Sequence, residues 1–321
     1  MRNLTRPKLE PPTLKQAAQK NYEVSSGHWR NPDVRGMLRA MLGQSCAYCQ
    51  SSMEGRMRPG TVDHFRPTSK YLWLAYRIEN LILACHDCNS RVKNSDFPID
   101  QGGARAESDD DLPSELRLLL DPVADPIDQR LGIDYLDKRF SFQNLVTNRY
   151  SIEYRRVSET IKVLRFDRGA DPTYRKIRAQ VLGKYTEKIE RHERGSLSLA
   201  EQSELRREVC RWKPFGEMAQ GLIRFHLSES EANKLCPSPE QECLWLIDDL
   251  ATVFEEAPTT DDAEKQQGEV RWCFAALLKS PPKGVSKVVI KKRLTELGML
   301  SDIEELAKQF GKQNAKAAKP I

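Results

Sequence analysis

Cys46-Ala47-Tyr48-Cys49 and Cys85-His86-Asp87-Cys88 bracket the run Thr61-Val62-Asp63-His64-Phe65-Arg66-Pro67, and the reading of this stretch decides the fold. Each C-x-x-C turn can point two thiolates at one tetrahedral ion, so the pair has the spacing of a structural zinc site. Zinc ligation contributes roughly 10–16 kcal/mol in small metal-folded units, which four buried thiols without a metal would not supply. Cys46, Cys49, Cys85 and Cys88 are therefore expected to hold structural Zn²⁺. The 35 residues between the knuckles (50–84) exceed the ~15–20 of common zinc ribbons, so the insert is where function is expected.

Within the insert, Asp63-His64 is followed by Tyr76-Arg77-Ile78-Glu79-Asn80-Leu81, and beyond the second knuckle by Asn89-Ser90-Arg91-Val92-Lys93. This arrangement resembles the HNH endonuclease motif, in which a strand ending in Asp-His is joined through a loop to a short helix bearing a second metal ligand. More narrowly, Cys-x-Tyr-Cys with His64 to Pro67 and Ser69-Lys70-Tyr71 resembles the HNH subunit of Septu-type antiphage defence systems, including those attached to retrons. The resemblance covers residues 40–165. It implies an α+β, mainly α fold: a zinc-stabilised ββα-metal HNH core with a helical C-terminal region.

Hydrolysing a phosphodiester needs an activated water, charge neutralisation on the phosphate and a stabilised leaving oxygen, which one divalent ion and one imidazole can supply. The resemblance implies that His64 is the general base and that Asp63 is a hard oxygen ligand for Mg²⁺ or Mn²⁺. It makes Asn89 a further oxygen ligand of that ion, at a position where some HNH enzymes carry histidine. Asn80 takes the motif's middle position, where its amide would hold the loop and orient His64. Neighbouring strand residues face opposite ways, so Asp63 and His64 can act together only if the strand ends or bulges there.

Several of these residues have a plainer reading. Asn80 could cap a helix running toward Cys85. Arg66, Lys70, Arg91 and Lys93 are candidate phosphate contacts or ordinary solvated charges. His86 reads as a loop residue, and His28, His192 and His226 have no identifiable partners. Cys210, Cys236, Cys243 and Cys273 repeat no C-x-x-C spacing and read as small core residues.

Outside the motif, Pro7, Pro11 and Pro12 make residues 1–30 an extended arm with one short helix at 14–21. Asn31 and Pro32 are a helix start, with Val34, Leu38 and Leu42 as the apolar stripe and Gly43 as the stop. Residues 101–114 form a polar, flexible insert. Residues 131–136 and 139–142 read as a strand pair turning at Asp137-Lys138. Six to eight helices are expected after Asn148, with starts at Ser198/Glu201, Ser228/Glu231 and Ser238-Pro239/Gln241. Val270, Cys273, Phe274 and Leu277 form a helical stripe. Residues 257–268 are a candidate acidic linker, and Lys312 to Lys319 a basic frayed tail. The implied domains are an arm and helix at 1–44, the HNH domain at 45–150 and a helical domain at 151–321.

The chain has 321 residues, with 51 Lys and Arg against 46 Asp and Glu, a net +5 too mild to indicate a polyanionic partner by itself. Residues 1–100 hold 15 basic and 9 acidic side chains, so the excess lies toward the motif. No apolar run is long enough to span a bilayer and no secretory leader is legible, so a cytoplasmic protein is expected. There, eight cysteines are metal ligands or core residues rather than a disulfide framework.

Three functions compete. A nuclease effector acting on DNA, controlled by a PtuA-like ABC-type ATPase docked on the helices after residue 150, follows from the resemblance. The same centre could cut RNA such as tRNA. A non-catalytic zinc module binding nucleic acid or protein would explain the four cysteines, but not Asp63-His64 together with Asn80 and Asn89.

Overall fold

The computed structural model describes residues 9–19, 26–43, 45–53, 60–136, 139–166, 172–210, 213, 215–256 and 261–312. The chain begins with β1 (Leu9–Glu10), α1 (Pro12–Gln19), α2 (Ser26–Trp29) and α3 (Pro32–Leu42). The motif follows as β2 (Gly60–His64), 3₁₀ turns at Leu72–Leu74 and Ile78–Asn80, β3 (Leu81–Cys85) and the wide helical turn Asp87–Lys93. Then come α4 (Ile127–Arg130), β4 (Leu131–Leu136), β5 (Arg139–Asn144), α5 (Ile152–Val163) and α6 (Pro172–Glu193). The remaining elements are α7 (Leu199–Glu208), α8 (Gly216–His226), α9 (Glu229–Leu235), α10 (Pro239–Glu256), α11 (Asp261–Lys279), α12 (Lys287–Glu296), α13 (Leu300–Gln309) and β6 (Gly311–Lys312). Among the described residues the fold is mainly helical, and the strands form three two-stranded sheets, β1-β6, β2-β3 and β4-β5.

Two compact units result. Among the described residues, one comprises 45–61 and 84–237, the other 9–43, 62–83 and 238–312. In the first, β4 and β5 pair antiparallel from Leu131↔Asn144 to Leu136↔Arg139, as the alternating run predicts, although the turn residues 137–138 lie outside the described residues. α5 packs on β5, α6 on α8, and α7 and α8 on α9. Ser198 closes a full capping box with Glu201, which fixes the start of α7, and the Ser228 side chain accepts the Glu231 amide at the start of α9. Residues 101–111 carry no helix or strand, yet they are tied down: Ala106 is buried and its amide donates to Glu115 Oε1 at 3.1 Å.

Asp125 organises the middle of this unit. Its carboxylate accepts from Arg117 Nη1 (3.2 Å), Arg130 Nη1 (2.9 Å), the Asp121 amide (2.7 Å) and Arg156 Nη2. Three of these donors meet Oδ2 and one Oδ1, so removing the acid would strand three partly buried guanidinium groups.

In the second unit α3 lies along α11, which also receives α10, α12 and α13. The predicted stripes meet here: Val34 and Leu38 of α3 are buried, as are Val270, Cys273, Phe274 and Leu277 of α11, while the Leu42 side chain lies outside the described residues. Pro32 opens α3 as expected, but Asn31 does not cap it with its side chain. Its amide nitrogen instead reaches back to the carbonyls of Gly27 and His28, both at 3.3 Å. The carboxylate of Glu269, buried in α11, takes hydrogen bonds from Arg35 and from Arg39 Nε, the latter at 3.0 Å.

Two expectations are corrected. Residues 261–268 are the first turns of α11, not a linker; an acidic stretch of sequence suits the positive end of a helix as well as it suits a linker, and Gly268 sits against Pro32. Residues 257–260 lie outside the described residues. Nine α-helices, not six to eight, follow Asn148 among the described residues, because short capped segments such as α9 are separate helices. The short helix of the arm spans Pro12–Gln19, and residues 20–21 lie outside the described residues. Of the expected basic tail, Lys312 pairs with Leu9 in a short sheet, and residues 313–319 lie outside the described residues.

Two measurements probe this packing. A Cβ on Gly36 would come 2.5 Å from the Glu269 carbonyl oxygen and 2.6 Å from Trp272 Cβ, so α3 and α11 touch at that glycine. Gly36→Ala should gain ~1 kcal/mol of helix propensity but lose more to the clash with backbone that cannot step aside. A lower urea midpoint is expected, and a raised one would show that the helices are not spaced there. For Asp125, burial pushes the carboxyl up, but the Arg117 charge and the Arg156 hydrogen bond outweigh it and hold it below the usual carboxylate value. Its stabilisation is present above the unfolded carboxylate pKa of about 3.9 and is lost as pH falls through the lower folded value. Acid titration of Asp125→Asn should show reduced stability at neutral pH and a shallower loss below that window.

Candidate functional site

The four motif cysteines converge in the first unit. Their sulphurs lie within 4.8 Å of one another and all four residues are buried. Cys49 Sγ and Cys85 Sγ are 3.8 Å apart, which matches the ~3.8 Å edge of a tetrahedron with Zn–S of about 2.3 Å. None of the eight cysteines is disulfide-bonded. Hydrogen bonds from Cys46, Cys85 and Cys88 hold the Cys49 thiol well below its ordinary value. Burial pushes Cys46 up, and hydrogen bonding to Cys46 and the other sulphurs pushes Cys88 up. A cation bound among the four sulphurs would let them ionise together. The donor set fits zinc: soft, tetrahedral and shut off from solvent.

The first knuckle is clamped by its surroundings. The Gln50 amide donates to the Cys46 carbonyl and the Cys46 amide to the Ser51 carbonyl, both at 3.0 Å. Gln50 holds a left-handed φ of 61°, where glycine is the usual residue, and its contacts hold it there. Its carbonyl accepts the Phe215 amide at 2.9 Å and its Oε1 the Met218 amide at 3.1 Å. Gln50 therefore acts as the N-terminal cap of α8, whose own preceding residue, Phe215, offers no side-chain acceptor.

Past the second knuckle, Asp87–Lys93 winds wider than an α-helix, closed by the Asn94 amide on the Asn89 carbonyl five residues back at 2.7 Å. Asn89 is half-buried, and its Nδ2 donates to Thr61 Oγ1 at 3.0 Å. Arg91 is exposed and lies 3.4 Å from Asp87 one turn earlier. His86 is exposed, as expected of a loop residue, and Lys93 is fully buried.

In the second unit β2 ends at His64, the strand end that adjacent Asp63 and His64 require, and both residues are buried. His64 Nε2 lies 3.0 Å from the Ala75 carbonyl oxygen. A carbonyl only accepts, so Nε2 carries the proton and Nδ1 is the basic nitrogen of the neutral ring. Trp29 packs against the imidazole at a near-right angle of 87°, with ring centroids 4.7 Å apart. Tyr76 meets both His28, at 5.3 Å, and Trp29, at 6.1 Å.

Asn80 closes the loop after His64. Its Oδ1 accepts the Arg66 amide at 2.7 Å, and its Nδ2 donates to the Arg66 carbonyl at 2.9 Å and the Leu74 carbonyl at 3.4 Å. Its own carbonyl accepts the Phe65 amide at 2.8 Å. The helix-cap alternative is excluded, because residues 81–85 are a strand rather than a helix. Arg66 is half-buried, 5.8 Å and 6.0 Å from the centroids of Phe65 and Tyr71, and Lys70 is exposed. The motif pattern gives no sign of Trp29, the Ala75 carbonyl, Gln50 as a cap or Thr61 as an acceptor, since each acts through a contact distant in sequence or through backbone.

Cys210, Cys236, Cys243 and Cys273 are buried, and among the described residues they form no second metal cluster. Burial pushes the Cys243 thiol up to about 12, which suits a core residue. Among the described residues no helix is long and apolar enough to cross a membrane. If the motif sulphurs hold zinc, the purified protein should carry one zinc per chain by elemental analysis. Cys88→Ser should lower that content and the melting temperature together. Zinc-free protein melting at the wild-type temperature would show that the cluster braces nothing.

Residues 46–95 match the family model for HNH endonucleases, a span that runs from the first knuckle past Lys93 and contains Asp63, His64, Asn80 and Asn89. Over 116 residues the chain is 28% identical to Septu protein PtuB of Bacillus mycoides (strain KBAB4), across 32% of this chain and 39% of that relative. The match thus spans about two fifths of the relative's length. No solved structure matches the chain. The HNH and PtuB-like resemblance read from the residues is borne out: the chain carries an HNH-type segment at 46–95 and is similar to a Septu protein.

Proposed function

We propose that this chain is a metal-dependent HNH nuclease that hydrolyses phosphodiester bonds in nucleic acid, DNA being favoured, as the effector subunit of an antiphage defence complex. The observation that carries the reading is the fixed tautomer of His64. With Nε2–H engaged by the Ala75 carbonyl, Nδ1 holds the lone pair that can take a proton from the attacking water. Bound Mg²⁺ or Mn²⁺ would neutralise phosphate charge and stabilise the leaving oxygen. Asp63 and Asn89 offer oxygen donors of the kind these hard ions take, and a neutral Asn in place of an imidazole disfavours softer metals.

Asn80 keeps the loop after His64 in one conformation by pairing with both backbone polar groups of Arg66. It is thereby a positioning residue, as Trp29 is from the side of the ring. Arg66, Lys70 and Arg91 are the proposed phosphate contacts. Lys93, fully buried, reaches a phosphate only if its surroundings open. Cys46, Cys49, Cys85 and Cys88 take Zn²⁺ as a brace outside the chemistry. Similarity to a Septu protein supports a PtuA-like ABC-type ATPase partner, with the helical region after residue 150 as its docking part, in the cytoplasm.

The test is cleavage of plasmid DNA and of total tRNA by purified protein with Mg²⁺ or Mn²⁺, alone and with a PtuA-like ATPase. General-base catalysis is worth ~10²–10⁴-fold, so His64→Ala should lose cleavage by at least about that lower figure while keeping its zinc. Cutting confined to tRNA would make the protein an RNA-directed effector. Wild-type cutting by His64→Ala would sink the mechanism, and intact substrates under every condition would leave the zinc-braced binding module.

A further inference from the structure

We infer that Thr61 is a positioning residue that sets the amide of Asn89, so that the oxygen of that side chain, and not its nitrogen, is offered to the divalent cation. The inference rests on the reading of Asn89 as a cation ligand. An Asn side chain has two nearly isosteric ends, and only Oδ1 can ligate a hard cation. Something must choose between them.

The choice is made by a two-bond relay within the first unit. Thr61 stands on β2, and its Oγ1 lies 3.0 Å from the Ala84 carbonyl oxygen. A carbonyl cannot donate, so the single hydroxyl proton of Thr61 is committed to it, and toward Asn89 the hydroxyl has only lone pairs. Asn89 must then turn its NH₂ end to Thr61, as it does at 3.0 Å. The reversed amide would set two lone pairs against each other and lose a hydrogen bond. Oδ1 is therefore directed away from Thr61. Ala84 immediately precedes Cys85, so the relay also ties the amide orientation to the backbone of the second knuckle.

The experiment is Mn²⁺ titration of the zinc-replete full chain, read by the electron paramagnetic resonance of free Mn²⁺ so that binding is measured apart from cleavage. Outer groups that orient a metal ligand are worth 10–100-fold in affinity, so Thr61→Val should weaken Mn²⁺ binding about tenfold, with Thr61→Ser restoring it. An Asp at position 89 has oxygens at both ends, so adding Thr61→Val to Asn89→Asp should change affinity by less than about twofold. If Asn89→Ala binds Mn²⁺ as wild type does, the ligand reading itself fails. If Asn89→Ala weakens binding and Thr61→Val does not, the ligand reading stands and the inference falls. A measurement on the unaltered chain covers the case in which Thr61→Val does not fold. The Asn89 side-chain NH₂ should be protected from exchange in the zinc-replete protein before Mg²⁺ is added, and protection arising only with Mg²⁺ would overturn a preset amide.

Discussion

Four sulphur atoms within 4.8 Å of one another, all shut off from water, are the constraint on which the HNH segment depends. Thiols gathered this closely resist ionising together: burial pushes Cys46 up and contact with the other sulphurs pushes Cys88 up, while hydrogen bonds push Cys49 down. A cation removes the conflict, and metal binding then becomes folding free energy for the segments that carry the ligands. Those segments carry much else. Cys49 precedes Gln50, which caps α8; Cys85 ends β3 and follows Ala84, on which Thr61 rests; Cys88 precedes Asn89. The proposed brace and the proposed chemistry thus share backbone.

The proposed chemistry depends on a second device, built around His64. β2 stops at His64, which releases the ring from strand alternation, and Asn80 holds the loop beyond by a paired contact with Arg66. A side-chain amide suits that task because it offers a donor and an acceptor side by side to a backbone amide and carbonyl. The imidazole is then bounded by the Ala75 carbonyl and by Trp29, one contact fixing its tautomer and the other limiting its tilt. Backbone strain sits at both margins of the matched segment, Gln50 with φ 61° and Asn94 with φ 45°, each tolerated because hydrogen bonds hold it.

Legibility in the sequence followed the range of the interaction concerned. The knuckles, the hairpin of β4 and β5, the start of α3 and the capping of α7 and α9 rest on rules that act within a few residues, and they could be read directly. Contacts made across the chain could not. Trp29 on His64 joins residues 35 apart in number, Gln50 capping α8 joins residues 168 apart, and Glu269 with Arg35 joins residues 234 apart. The acidic start of α11 was misread because residues 257–268 look polar, whereas a helix N-terminus accepts such residues and Glu269 is buried only through its arginine partners. The same limit hid Thr61, an ordinary strand residue until Asn89 lies beside it.

In the proposed reaction water, deprotonated by His64, is the nucleophile at phosphorus. Cleavage in ¹⁸O-enriched water by the zinc-replete protein with Mn²⁺ and a PtuA-like ATPase, followed by mass analysis of the new ends, tests this. One ¹⁸O atom is expected in the terminal phosphate at each cut, whether the substrate is DNA or RNA. New ends without solvent oxygen, such as 2′,3′-cyclic phosphates on RNA, would contradict it.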